Sequence, residues 1–196
     1  MTTTMIKSAL LASACAIALA ACASAPRQTT AARPTPARPM ASVSTVQQAQ
    51  VNLSSASASL VSGRLVLRAK AGGVQLSGEI GGLAPNSTHA IHIHENGDCS
   101  AADASSAGGH FNPLASAHGR SGMPVHHAGD MDNLVANGQG VATVDAMARN
   151  VVMGGQAGND IIGRAMVVHA QADDYTSQPA GNAGARVACG VIKAGG

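Results

Sequence analysis

Eight histidines beside ten acidic residues are the most chemically loaded feature of this 196-residue chain. An imidazole can bind a transition-metal ion through a ring nitrogen and can carry a proton near neutral pH, so a cluster of them points to a metal site or to proton transfer. His92 and His94 stand two apart in Ile91-His-Ile-His94. On a β-strand such side chains leave the same face, where both rings can grip one ion. Taken alone, the pair also fits an ordinary polar strand face. More follows quickly: His110 opens His110-Phe-Asn-Pro113, His118 comes eight residues later, and His127-Ala-Gly-Asp130 closes the interval. His169 ends the apolar run Met166-Val-Val, a costly place for an imidazole without a partner. Three or four N and O donors from neighbouring loops suit zinc with one Asp oxygen, and imidazoles also suit copper. His126 reads as a solvated loop residue beside His127, and His89 as a strand residue on the side opposite the ligand face.

The elements that must position these groups read as short strands between Gly-rich turns. From about Ala56 onward, Leu65, Leu67 and Ala69 share one strand face, and Val74, Leu76 and Ile80 share another after the Ala71-Gly-Gly73 turn. His89 to Glu95, Leu134 to Ala136, Val141 to Met147, Arg164 to His169 and Arg186 to Ile192 complete the set, with Asn137-Gly138 as a hairpin turn. The expected fold is all-β: an eight-stranded antiparallel sandwich or flattened barrel. Two long polar intervals, Asn96 to Asn133 and Ala170 to Ala185, break the rhythm and hold most of the His, Asp and Asn, so the chemistry belongs there.

Composition narrows the function. With a net charge of +2, one Phe, one Tyr and no Trp, the chain lacks the basic stripe and aromatics of a nucleic-acid binder. No apolar run reaches the roughly 18 residues of a membrane-spanning helix. Lys7, the apolar Ser8 to Ala18 and Leu19-Ala-Ala-Cys22 read as a signal peptide over residues 1–21, and the last tetrapeptide resembles the bacterial lipobox, with Cys22 acylated. An ordinary signal peptide with small residues at its cleavage site is the alternative; either way the protein is exported. Residues 22–47 are Pro/Ala/Thr-rich and read as a tether, and residues 48–196 as the domain. Residues 1–47 carry +4, leaving −2 on the domain. Cys15 leaves with the signal peptide and Cys22 is the anchor, so Cys99 and Cys189 remain, and export favours a disulfide.

At this point the residues resemble the copper/zinc superoxide dismutases in their exported bacterial form. The shared motifs are His92-Ile-His94, Gly97-Asp-Cys99, Gly108-Gly-His-Phe-Asn-Pro113, His118-Gly119, His127-Ala-Gly-Asp130, Gly163 to His169, and Gly181 to Ile192, in family order over roughly residues 64–192. The resemblance implies a Greek-key sandwich with one copper and one zinc per chain. It implies His92, His94 and His169 as copper ligands, His110 as an imidazole bridging copper to zinc, and His118, His127 and Asp130 as the other zinc ligands. Asp173 is implied to hydrogen-bond His92 and His118, Arg186 to stand beside the copper, and Cys99–Cys189 to be the family disulfide. The implied catalytic residues are Arg186, which holds the superoxide anion, and His110, which takes a proton when copper is reduced.

Two features depart from the family. Cys99 to His110 spans eleven residues, as in bacterial rather than cytosolic eukaryotic forms. The interval from His169 to Arg186 carries only Asp173 and Asp174, without the cations that often steer the substrate. The competing reading is a copper/zinc binding or delivery lipoprotein on the same fold; Arg186 discriminates, because a carrier has no use for an anion-binding cation beside copper. A periplasmic location with a lipid anchor at Cys22, and a monomer or homodimer, complete the expectations.

Overall fold

Alternation between buried and exposed positions makes the strands of the computed structural model, which describes residues 1–2 and 39–195. The signal peptide and Cys22 lie outside the described residues. The elements are β1 (Gln48–Ser55), β2 (Ser62–Lys70), β3 (Gly73–Gly81), β4 (Thr88–His89), β5 (Ile91–His94), β6 (Leu134–Val135), β7 (Ala142–Arg149), β8 (Ala165–His169), β9 (Arg186–Val191) and β10 (Lys193–Ala194). A single turn of 3-10 helix, Ser105–Ala107, is the one helical element among the described residues.

All the strand pairs are antiparallel, and β1 is the hinge of the sheet. Its Gln48–Leu53 stretch pairs with β2, and its last two residues, Ser54 and Ser55, pair with Cys189 and Ala188 of β9. The resulting eight-stranded sheet, in order β5-β8-β9-β1-β2-β3-β7 with β10 also on β1, curls on itself into a half-barrel. The connections β3 to β5 and β7 to β8 run between the two ends of that order, the long crossovers of a Greek key. The concave side is filled by Val51, Leu65, Leu67, Leu76 and Ile80 from one half, meeting Ile91, Ile93, Met166 and Val168 from the other.

Three details differ from the sequence reading. Strand pairing starts at Gln48 rather than near Ala56: Ala49, Val51 and Leu53 alternate inward among Gln, Asn and Ser, whose polarity hides the pattern. The folded unit also begins before residue 48. Thr45 and Val46 donate backbone bonds to Met153 O at 3.0 and 2.9 Å, Gly158 N donates to Pro39 O, and Ala41 bonds the Asn159 amide through both its N and its O. The Asn137 turn is present, with Asn137 N donating to Val141 O, but it is no hairpin. Its flanking strands pair elsewhere: β6 with β4, and β7 with β3.

A second, small cluster fixes the first long loop. Ala56, Ala104, Ala107, Ala165, Val167 and Cys189 pack together against Cys99. The Cys99–Cys189 disulfide ties that loop to β9 across 90 residues. In the chain-entropy account a closed loop of this length contributes up to about 4–5 kcal/mol.

Candidate metal centre

Alternation on β5 turns Ile91 and Ile93 into the core and His92 and His94 to its other face. The first loop then folds back onto this strand. Ile93 N donates to Gly129 O, Phe111 N to Ile93 O, and His94 bridges to His110. Gly129 is required there, since an added Cβ would stand 2.1 Å from Ile93 O. On β8 a bulge between Val168 and His169 shifts the register, so that His169 lies opposite Arg186 rather than Val187. Residues directly opposite share a face, so this one-residue slip brings the Arg186 side chain to the His169 side.

The seven sequence-derived ligands fall into two buried groups that share one member. One nitrogen each from His92, His94, His110 and His169 lies within 4.8 Å of the others, as do single donor atoms of His110, His118, His127 and Asp130. The hydrogen bonds fix which nitrogens face inward. His94 Nδ1 donates to Gly108 O at 3.0 Å and His169 Nδ1 to Gly184 O at 3.3 Å, so both Nε2 atoms carry lone pairs, 3.4 Å apart. Two lone pairs do not bond each other; they converge on a cation. His92 Nδ1 and His110 Nε2 are buried with no hydrogen-bond partner among the described residues, the further two donors of a four-nitrogen set.

Three of these imidazoles resist protonation. Burial, countered in part by the Gly108 carbonyl, pushes His94 down to about 2. Burial and the neighbouring His92 push His169 down to about 3, and burial outweighs the Asp130 bond to leave His110 at about 4.

The second group is tighter. Asp130 Oδ1 lies 2.8 Å from His110 Nδ1, 3.0 Å from His118 Nδ1 and 3.4 Å from His127 Nδ1, and the His110 and His127 Nδ1 atoms are 3.4 Å apart. Ligands about 2.0–2.1 Å from a tetrahedral zinc stand roughly 3.3–3.4 Å apart, so this three-nitrogen, one-oxygen set fits zinc. Asp130 Oδ2 accepts from Gly119 N and His127 N, which aims Oδ1 into the group. Burial works against the Asp130 charge, but bonds from His110, His127 and these two amides hold its carboxyl well below the usual range.

Asp173 joins the two groups from behind. Its Oδ2 accepts from His92 Nε2 and its Oδ1 from His118 Nε2, both at 2.9 Å, which leaves each Nδ1 free to face its own group. Burial opposes protonation of His118, but the Asp173 bond and the Asp130 charge outweigh it and raise its pKa. Asp173 is itself held by residues that sequence reasoning missed. Asn133 bonds its backbone at both N and O, and Tyr175 N donates to its Oδ1. Gln178 in turn bonds the His118 backbone at both N and O. Gly181, at φ +64°, leaves room for all of this, since a Cβ there would fall 1.8 Å from Asp173 Oδ1. His89, expected away from the ligands, is buried and bridges Ser87 Oγ to His169 O. His126 belongs to neither group; it is half-buried and its Nδ1 donates to His127 O.

Arg186 lines a cavity of about 600 Å³ with His94, His110 and His169. Its guanidinium donates to Ala104 O and Gly108 O, each at 2.6 Å, so the loop packed by the alanine cluster sets its position. Gly108 O is shared with His94, and the Arg186 charge reaches both His94 and His169, helping to lower them.

The chain's similarity to known proteins agrees with this geometry. A family model described as copper/zinc superoxide dismutase (SODC) matches residues 61–192. Superoxide dismutase [Cu-Zn] 1 of Aquifex aeolicus is 43% identical over 124 residues, 62% of this chain and 73% of that protein. Superoxide dismutase [Cu-Zn] of Caulobacter vibrioides is 44% identical over 126 residues, 62% of this chain and 72% of that protein. Among solved structures, a double mutant of a SOD-like protein from Bacillus subtilis superposes with a TM-score of 0.67 at 36% identity, covering 74% of this chain and 96% of that one.

The Asp173 geometry generates a prediction. Asp173→Asn replaces one acceptor oxygen by an N–H donor, so His92 and His118 can no longer both be held. Zinc affinity, measured by competition with a chromogenic chelator, should fall about ten- to hundred-fold. Unchanged affinity would make Asp173 a mere loop acid.

Proposed function

The chain belongs to the copper/zinc superoxide dismutase family, and from that premise we propose that it disproportionates superoxide in the cell envelope. Two superoxide anions and two protons become one O₂ and one H₂O₂. The observation that carries this reading is His110, a member of both ligand groups, with Nδ1 beside Asp130 and Nε2 buried without a hydrogen-bond partner among the described residues. A site that only stored or delivered metal needs no such shared imidazole, and no arginine beside it.

In this reading His92, His94, His169 and His110 hold copper, and His110, His118, His127 and Asp130 hold zinc. Copper, when bound, supplies the one-electron couple that superoxide needs, while zinc does not cycle and serves structure and electrostatics. The remaining work is done by the chain. Asp173 keeps His92 and His118 in the tautomers that face the ions. His110 Nε2 is the atom at which a proton is held between the two halves of the reaction and then passed to the departing peroxide. Arg186, cationic at every working pH even though burial lowers its pKa somewhat, uses two donors on Ala104 O and Gly108 O. Its other N–H groups are left to receive the anion in the cavity. The copper/zinc delivery reading is not favoured, since it leaves Arg186 without a task.

The location is proposed from the leader: export through residues 1–21, and acylation of Cys22 that anchors the domain to a membrane facing the periplasm. The tether then ends short of Pro39, where the described packing begins. Cys22→Ser should move the protein from the carbonate-resistant membrane pellet to the soluble periplasmic fraction or stall its processing. Continued pelleting with membranes would refute the anchor.

The catalytic reading is tested at Arg186. Copper- and zinc-loaded protein should consume superoxide while chelator-stripped protein does not. Arg186→Leu should keep both metals and lose most of the rate; Arg186→Lys should lose less, because the charge survives without the planar fork. Arg186→Glu should be slowest. Equal rates in wild type, Leu and Glu forms, with metals bound, would remove Arg186 from the mechanism and restore the delivery reading.

A further inference from the structure

The charges of the folded unit are unevenly sorted: one sheet face is basic, and most acids lie on the loops. On β2 the exposed Arg64, Arg68 and Lys70 alternate with Leu65 and Leu67, which enter the core. Lys193 pairs with Gln50, and Gln50 with Val66, so Lys193 shares the face of the β2 cations. Arg149 and Lys70 both pair with Gly73, which sets them two strands apart in one row with no side chain between. Against these five cations the face presents two acids, Glu79 and Asp145. None of the five makes an ion pair among the described residues; Arg64 bonds the Gln50 amide instead, and Asp145 accepts from Gln75.

The rest of the folded unit has the opposite sign. The eight remaining acids lie off these strands, accompanied by Arg120, Arg164 and Arg186 alone among the cations of the described residues, so a face of about +3 stands against a remainder of about −5 in side-chain charge, before any metal ion is counted. The core lies between them. Ile91 and Ile93 meet the same cluster as Leu65 and Leu67, so the histidines of β5 point away from the β2 cations.

We propose that this basic sheet face docks on the phosphate surface of an anionic phospholipid bilayer, holding the histidine cavity toward the aqueous side. Charge complementarity argues for that occupant. The surface is built of separate Arg and Lys side chains, and the two aromatic residues, Phe111 and Tyr175, lie on loops elsewhere, so it has nothing on which a base could stack. The proposed tether carries Arg27, Arg33 and Arg38, of the same sign. Each cation near an anionic bilayer contributes about fivefold in partitioning, over a range of roughly 8–10 Å. The inference rests on the proposed envelope location, not on acylation of Cys22.

The test is cosedimentation of the metal-loaded full chain with phosphatidylcholine vesicles containing phosphatidylglycerol, compared with phosphatidylcholine alone. The ratio of the two cancels whatever an acyl chain contributes, so it can fail while the anchor stands, or hold while the anchor falls. Lys70→Glu should lower the ratio about fivefold or more. Arg120→Glu, the same charge change at a cation off the β2 row and already paired with Asp132, should lower it clearly less. Both variants should keep dismutase activity, which verifies folding and metal content. Equal losses in the two variants would reduce the effect to net charge, and no loss in Lys70→Glu would assign it to the tether; either result overturns the proposal.

Discussion

Four imidazole nitrogens that turn lone pairs toward one point are the constraint on which the rest of this molecule depends. Their outer nitrogens are occupied by Gly108 O, Gly184 O, Asp173 and Asp130, so none of them can turn away. Burial makes protonation of His94, His110 and His169 costly. A cation removes the conflict, and a second one beside Asp130 lets a single imidazole serve two groups. Metal binding at such a set is coupled to the fold that assembles it.

Everything around the centre limits how far those nitrogens can move. The β8 bulge sets Arg186 against His169, and the alanine cluster with the Cys99–Cys189 bond fixes the carbonyls on which Arg186 rests. Asp173 spans the groups, held at its backbone by Asn133 and at Oδ1 by Tyr175 N, while Gln178 holds the His118 backbone. With so few aromatic side chains, the half-barrel is packed by Val, Leu, Ile, Met and Ala. Its first long loop is held by apolar packing of Ala104, Ala107, Phe111 and Met131 together with the disulfide.

Much of the site was legible because it rests on short-range rules. His92 and His94 share a face through strand alternation alone, and Asp173, inferred by resemblance, stands where the two histidines need an acceptor. The fold class followed from Gly-spaced apolar alternation. What stayed hidden depends on partners distant in sequence. A bulge is a property of two paired strands, so nothing in Val168-His169 announces it. Asn133 and Gln178 act through amides that look like any loop residue. β1 was missed because its inward Ala49, Val51 and Leu53 are interleaved with polar residues, and the Pro39–Gln47 segment because main-chain bonds to Met153 and Gly158 leave no trace in composition.

The central claim is that His110 joins two metal ions through its two nitrogens. It is tested most directly by placing cobalt(II) in the Asp130 group of the copper(II)-loaded protein and recording the copper electron paramagnetic resonance signal. An imidazole shared by both ions couples their unpaired electrons, so the copper signal should disappear as cobalt fills its site. A copper signal of undiminished intensity, with cobalt bound by His118, His127 and Asp130, would contradict the account.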